Sequence, residues 1–381
     1  MAQMTGAQAL TRSLVREGVE VVFALPGVQI MEAFNALYDE PSIRLVLVRH
    51  EQSAAYMADG YSRTTGKPGV AMVVPGPGAL NATAAVGTAF ASSSPIMLIS
   101  GQIESFNLGV NRGALHEIGE QLDVFKHLTK WCARTTESSE IPNLVHQAME
   151  QLTTGRPRPV EIEIPWDILP DQTEIRLFEK EVHPKTRPEP GAVREAADAL
   201  AHAERPLIWA GGGAREADLS HELLELAQAL NAPVITTPEG KGSFPEDNPL
   251  SLGTIYNGHG PGHHAVPQAD VILAIGSRMH MVPPVDWSPQ PHQKLIQIDA
   301  DPEEVGRNIP VTTGMAADGR LALQDLLAEL GGKTRASQWT PGDIDTIRDA
   351  TRAEIQAIAP LQVEIINTIR QELDDDAIMV A

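Results

Sequence analysis

The stretch IRLVLVRHEQSAAYMADGYSRTTG, residues 43–66, decides the fold. It opens on a short β-branched run that ends at His50, and it continues as a periodic helix-forming segment closed by Gly66. A strand feeding directly into a helix is half of a βαβ unit, and the alternation recurs from residue 5 to about 170. The other strand candidates are VEVVFAL (19–25), PGVAMVVPG (68–76), SPIMLISGQ (94–102) and RPVEIEIP (158–165), each followed by a Gly, Pro or polar break. IMEAFNALYD (30–39) supplies another helix between them. Residues 1–170 therefore read as an α/β domain built on a doubly wound parallel sheet.

Beyond it, residues 171–190 (DQTEIRLFEKEVHPKTRPEP) are dense in charge and proline and suit an exposed linker. A second α/β unit is expected over 191–332, with strands RPLIWAGGG (205–213), APVITTPEG (232–240), DVILAIGSR (270–278) and QKLIQIDAD (293–301) and a helix at LSHELLELAQALN (219–231). From 333 to 381 a loop gives way to helices through about Glu372, and DDDAIMVA reads as the opening of a strand. That last strand suggests a third domain lying outside this sequence.

Composition narrows the function classes. At 381 residues, two cores are the expectation. The 29 basic and 50 acidic residues leave a net charge of −21, which repels phosphate backbones and anionic headgroups, so neither nucleic acid nor a membrane is an expected partner. No run approaches roughly 20 apolar residues and the N-terminus reads as an amphipathic helix, not a signal peptide, which points to the cytoplasm. The single cysteine, Cys132, has no partner for a disulfide and is expected to be a buried small hydrophobe.

Chemistry concentrates at one edge of the first sheet. Glu51 stands where a strand ends and a helix begins, at the C-terminal edge where α/β folds bind ligands. Alone, it need only complement the helix dipole, worth about 0.3–1 kcal/mol. Pro26-Gly27 follows the first strand and Gly76-Pro77-Gly78 the third, so a parallel sheet brings both turns to the edge that carries Glu51. Glycine at such a turn allows close approach of the backbone to a ligand. Asn81 reads either as part of this site or as a helix N-cap.

With these residues in place, the chain resembles the thiamine-diphosphate-dependent enzymes, in particular the acetolactate synthase, pyruvate oxidase and benzoylformate decarboxylase group. The resemblance rests on GVEVVFALPG, RHEQSAAYMADGYSR, GPGALNA and PIMLISGQ, and continues through LTKW (128–131) and GRPRPVEIEIPWDI (155–168). RPLIWAGGG, PVITTPEGKGSFPEDNPLSLG and ILAIGSR through QIDADPEEVGR are similar to the Rossmann-like central domain of the same enzymes. It implies a pyrimidine-binding domain in which Glu51 bonds to the cofactor's aminopyrimidine and favours the form that takes the proton from the thiazolium carbon. Pro26, Gly27, Gly76, Pro77, Gly78 and Asn81 would line the cofactor, and a 2-keto acid would be decarboxylated, with carboligation or aldehyde release. The family's sites lie between subunits, so a homodimer or homotetramer is implied.

Departures from the family pattern matter too. His116 stands where acetolactate synthases usually carry a glutamine that reaches toward the substrate; it reads as a proton donor or as an ordinary loop residue, and it puts acetolactate as the product in question. Gly211-Gly212-Gly213 follows a strand but is not a full dinucleotide fingerprint, and Met279-His280-Met281 and Asn257-Gly258 replace the flavin-associated pattern, which argues against FAD. His259, His263 and His264 lack a carboxylate or cysteine at metal-site spacing and read as a polar loop. The family holds its diphosphate through magnesium on a Gly-Asp-Gly motif followed by asparagine; no such motif occurs here, so Mg²⁺ is expected through the domain outside the sequence, and no metal ligands are assigned. Two competing readings are a non-catalytic or split-subunit protein retaining the scaffold, and a nucleotide-binding oxidoreductase using Gly211–Gly213.

Overall fold

The computed structural model describes residues 2–255, 259–280, 288–374 and 376–379. The chain divides into two compact units, Met1–Pro184 and Lys185–Ala381. Each is a doubly wound α/β domain on a six-stranded parallel sheet.

In the first unit the strands are β1 (Ala2–Thr5), β2 (Val21–Ala24), β3 (Arg44–Leu47), β4 (Gly69–Val73), β5 (Ile96–Gln102), β6 (Trp131–Arg134), β7 (Val160–Pro165) and β8 (Gln172–Ile175). Its helices are α1 (Gly6–Arg16), α2 (Met31–Tyr38), α3 (Glu51–Thr65), α4 (Pro77–Ser92), α5 (Gln121–Phe125) and α6 (Ile141–Thr153). The sheet runs β3-β2-β4-β5-β7-β6, every pair parallel. Chain order therefore reverses at β2 and β4, and the crevice beyond their C-terminal ends is the switch point where such folds take ligands. One face packs Val22, Val70, Met72, Met97 and Ile162 against α1, α2 and α6. The other packs Phe23, Ala71, Val73, Ile96 and Leu98 against the alanine-rich α3 and α4 and Phe125 of α5. With both faces covered, β4 and β5 are continuous apolar runs rather than alternating ones.

Two expectations are corrected here. The stretch 171–190 is not all linker: Gln172–Ile175 pairs antiparallel with Ala2–Thr5, burying Met4 and Ile175. The N-terminal helix accordingly starts at Gly6, behind a capping box formed by Thr5 and Gln8.

The second unit holds β9 (Pro206–Ala210), β10 (Val234–Thr236), β11 (Ser251–Thr254), β12 (Val271–Ile275), β13 (Lys294–Asp299) and β14 (Thr313–Ala316). They order as β11-β10-β9-β12-β13-β14, all parallel, the strand sequence of a dinucleotide fold with its switch point between β9 and β12. Around them lie α7 (Pro190–Ala201), α8 (Gly212–Glu216), α9 (Ser220–Leu230), α10 (Gly262–Ala265) and α11 (Gly319–Leu330), then α12 (Pro341–Ile358) and α13 (Pro360–Glu372). Where a further strand is expected, residues 376–379 pair with no strand among the described residues, and Asp375, Val380 and Ala381 lie outside them. No helix among the described residues is long and apolar enough to cross a membrane.

Candidate active site

Parallel register brings three loops to one edge. β2 pairs with β3 and β4 on either side, so the turns at Pro26-Gly27, His50-Glu51 and Val74–Gly78 emerge side by side. His50 caps α3, its Nδ1 accepting from the Gln52 N–H at 3.2 Å, and Glu51 is the first helical residue. Its carboxylate is largely buried yet lies at the positive end of the helix, which favours a negative charge. Small residues on the facing sides of α3 and α4 (Ala54, Ala55, Ala58; Ala79, Ala82, Ala85) let the two helices pack closely. Asn81 Nδ2 then donates to Glu51 Oε2 at 3.0 Å.

This geometry excludes the N-cap reading of Asn81. The N-cap of α4 is Gly76 with Pro77 following, so Asn81 lies inside the helix and caps nothing. It reaches instead toward the carboxylate. Glu51 Oε1 accepts no hydrogen bond among the described residues and keeps its lone pairs for an incoming donor.

The glycines are required by packing within the protein. A Cβ on Gly27 would sit 2.3 Å from Val74 Cγ1, and one on Gly78 2.5 Å from Val74 Cγ2 and 3.5 Å from Glu51 Oε1. Val74 is wedged between the two turns, so the space each glycine leaves is filled by the protein. Gly76 has φ 58° and ψ −117°, a backbone closed to other residues, and its missing side chain makes room for the His116 carbonyl oxygen 2.2 Å from the ideal Cβ position. Pro26 is exposed beside Gly27.

His116 thus belongs to a loop folded over this edge. Gln29, buried behind Gly27, anchors that loop by donating to the Leu115 carbonyl at 3.1 Å. His116 itself has φ 69°, uncommon for a residue with a side chain, and its Nδ1 is buried without a hydrogen-bond partner.

Under the same edge lies a polar network that sequence reading missed. Glu161 and Glu163 of β7 are fully buried, pointing to the α3–α5 side in register with Leu98 and Ser100 of β5 and with Cys132 and Arg134 of β6. Ser100 Oγ donates to Glu161 Oε1 at 2.5 Å; Gln102 Nε2 and Arg134 Nε donate to Glu163 Oε2 at 3.1 and 2.6 Å. Gln121, also fully buried, donates to Ser100 Oγ and Glu163 Oε1, both at 3.0 Å, and accepts from the Gly76 N–H at 2.7 Å. Burial, reinforced by the Glu163 charge, pushes the Glu161 carboxyl well above the ordinary carboxylate range. Burial raises Glu163 as well, against the opposing pull of Arg134. Cys132 is only half-buried, and burial followed by the Glu161 charge pushes its thiol up. The E-I-E-I alternation in 161–164 was the available signal.

In the second unit the triple glycine is consumed by packing. Gly211 and Gly213 N–H groups bond to the Ile275 and Gly276 carbonyls, and a Cβ on Gly211 would lie 2.2 Å from Gly276 O. His280 is described, its imidazole pushed down by burial and then by Arg278, while Met281 and Asn257-Gly258 of the flavin argument lie outside the described residues. The histidine loop is not without a carboxylate: Glu354 of α12 brings Oε1 to 2.8 Å from His259 Nδ1 and Oε2 to 3.8 Å from His264 Nε2. Among the described residues, no group of three His, Cys, Asp or Glu side chains is placed to hold a metal.

Comparison with known proteins gives the family. Residues 4–124 match the family described as thiamine pyrophosphate enzyme, N-terminal TPP binding domain, and residues 193–326 match its central domain. The chain is 38% identical over 337 residues to a probable acetolactate synthase large subunit of Methanocaldococcus jannaschii, covering 86% of this chain and 56% of that protein. It is 35% identical over 379 residues to the probable 2-ketoarginine decarboxylase AruI of Pseudomonas aeruginosa, covering 98% and 66%. To the acetolactate synthase large subunit of Haemophilus influenzae it is 33% identical over 350 residues, covering 89% and 60%. The chain therefore spans 56% to 66% of the length of these relatives.

Proposed function

Since the chain belongs to the thiamine pyrophosphate enzymes, we propose that its first unit supplies the aminopyrimidine half of a thiamine diphosphate site for decarboxylation of a 2-keto acid. The observation that carries this reading is the Glu51–Asn81 pair: a carboxylate at the switch-point edge with one oxygen fixed and the other open to a donor. An aminopyrimidine presents such donors, so the residues fit the group. Bound thiamine diphosphate supplies the carbon nucleophile and the electron sink.

The protein's part is orientation and proton handling. Asn81 holds Oε2, which turns Oε1 to the crevice, and the N-terminus of α3 favours the carboxylate there. Glu51 can then accept a hydrogen bond from a ring nitrogen and share its proton, the role of a general acid–base group at fixed geometry. Val74 packs against the turns at Gly27 and Gly78, and the His116 carbonyl sits over Gly76. Magnesium and the diphosphate would be held by residues outside those described, and a homodimer or homotetramer would bring the two halves together.

Decarboxylation is the chemistry named for the AruI relative, and carboligation or aldehyde release would follow it here. His116 in place of the glutamine of acetolactate synthases favours aldehyde release. Incubating the native protein with thiamine diphosphate, Mg²⁺ and either pyruvate or 2-ketoarginine, and identifying the products, separates the two. Glu51→Gln should lower turnover at least ~10-fold without changing the far-ultraviolet circular dichroism. Full activity in that variant would overturn the assignment.

A further inference from the structure

The open question at the cofactor edge is what holds Gly76. Glycine there is free to rotate, and yet α4 starts from it and carries Asn81 to Glu51. We propose that Gln121 is the positioning residue for this edge: its amide, oriented by Glu163, clamps the Gly76 N–H and thereby fixes the helix start from which Asn81 meets Glu51. The proposal deepens the functional reading above and rests on it for its link to the cofactor.

Hydrogen-bond polarity fixes the orientation of the Gln121 amide. Gln121 makes three hydrogen bonds with no exposure to water: Oε1 accepts from Gly76 N, and Nε2 donates to Ser100 Oγ and to Glu163 Oε1. A carboxylate only accepts and a backbone N–H only donates. Between Glu163 on one side and Gly76 on the other, the amide has one satisfying orientation; the flipped one would set oxygen against oxygen and nitrogen against nitrogen. Glu163 is itself held by Gln102 and Arg134, and Arg134 in turn pairs with Glu120, which caps α5, the helix that begins with Gln121. The clamp is thus built from three strands and a helix. The charged and titratable groups facing Gln121 are Glu161 and Glu163 from β7, Cys132 and Arg134 from β6 and Glu120 ahead of α5; β5 contributes only the neutral Ser100 and Gln102.

A pH-dependent variant follows from this. The carboxyl group introduced by Gln121→Glu would, when protonated, donate through its hydroxyl toward Glu163 and accept from Gly76 N–H through its carbonyl, restoring the clamp. Ionised, it could still accept from Gly76 N–H but would lose the donor to Glu163 and be repelled by that carboxylate, which loosens the clamp. Gln121→Leu would lose the clamp at every pH.

Hydrogen exchange read by mass spectrometry tests this on the full chain, comparing the peptide 74–82 with wild type at each pH and using the peptide 69–73 of β4 as the folding control. Gln121→Leu should raise exchange in 74–82 by roughly tenfold with β4 protected. Gln121→Glu should exchange faster than wild type at about pH 8, up to the level of Gln121→Leu, and return toward wild type at about pH 5.5. In parallel, the Kd for thiamine diphosphate with Mg²⁺, followed by tryptophan fluorescence, should rise roughly tenfold in Gln121→Leu and recover on acidification only in Gln121→Glu. Wild-type exchange in 74–82 for both variants would overturn the proposal. Should Gln121→Leu fail to fold, shown by loss of protection in β4, the pH response of Gln121→Glu decides alone. Native protein, with the half of the site that holds magnesium and the diphosphate present, that binds no thiamine diphosphate would overturn the functional reading, while the exchange data still decide whether Gln121 holds Gly76.

Discussion

Both sheets solve the same problem at their C-terminal edges with a buried glutamine, and they solve it differently. In the second unit Gln297 of β13 donates to the Ser277 and Glu304 carbonyls and accepts from the Gly306 N–H, so every partner is backbone and neutral. In the first unit Gln121 shares its hydrogen bonds among a glycine N–H, a serine and a buried glutamate that is itself backed by an arginine. A neutral amide satisfied by main chain suffices to hold a loop. Buried ionisable groups are costly to desolvate and are not needed for stability alone; the first edge joins Glu161, Glu163 and Arg134 in one buried network, whereas the second buries Glu304 beside the exposed Arg307.

The comparison breaks most visibly at Arg134. Arg134→Met leaves the Glu163 carboxylate buried without its cation and should destabilise the first unit by about 3–5 kcal/mol, read as urea unfolding of the isolated chain. The glycines give the next largest effect. Gly76→Ala meets both a positive φ and the His116 carbonyl, and Gly211→Ala meets the Gly276 carbonyl; each should cost about 1–3 kcal/mol. Only Gly76→Ala should also weaken thiamine diphosphate binding. An equal loss of binding in Gly211→Ala would erase the distinction between the two edges.

The smallest effect is a trend with pH. Because the Glu161 pKa is raised in the folded state, that state keeps its proton at pH values where the unfolded chain has lost it. Stability of the first unit should therefore fall as pH climbs from the ordinary carboxylate range through the raised value. Glu161→Gln should flatten this slope in calorimetry. The second unit should show the opposite sign: the hydrogen bonds from Thr340 and His259 hold Asp343 and Glu354 below the usual range, so their contribution is present above the ordinary values and lost as pH falls through the lowered ones.

What sequence made legible was the layout of the edge. Parallel strands with both faces apolar, and turns of Gly and Pro after them, put Glu51 beside Gly27 and Gly76–Gly78, while the reach of Asn81 to Glu51 came only from the packing of α3 on α4. Illegible were interactions that join distant, weakly patterned segments. β1 and β8 are four residues each, partly exposed and some 170 residues apart, so neither shows a periodicity that demands a partner. Glu161 and Glu163 look, in sequence, like the wet face of an alternating strand; α3, α4 and α5 covering that face is a tertiary fact. The glycines stand out in the sequence but their reason does not, because a missing side chain does not say whether a ligand or a neighbouring valine takes the room.

That valine ties three positions into one variable. With Cγ1 against Gly27 and Cγ2 against Gly78, Val74 leaves neither turn free to change alone. Among relatives, a larger residue at position 27 or 78 should occur only together with a smaller one at 74. Anyone recasting this crevice for a new substrate would do best to randomise the three codons jointly.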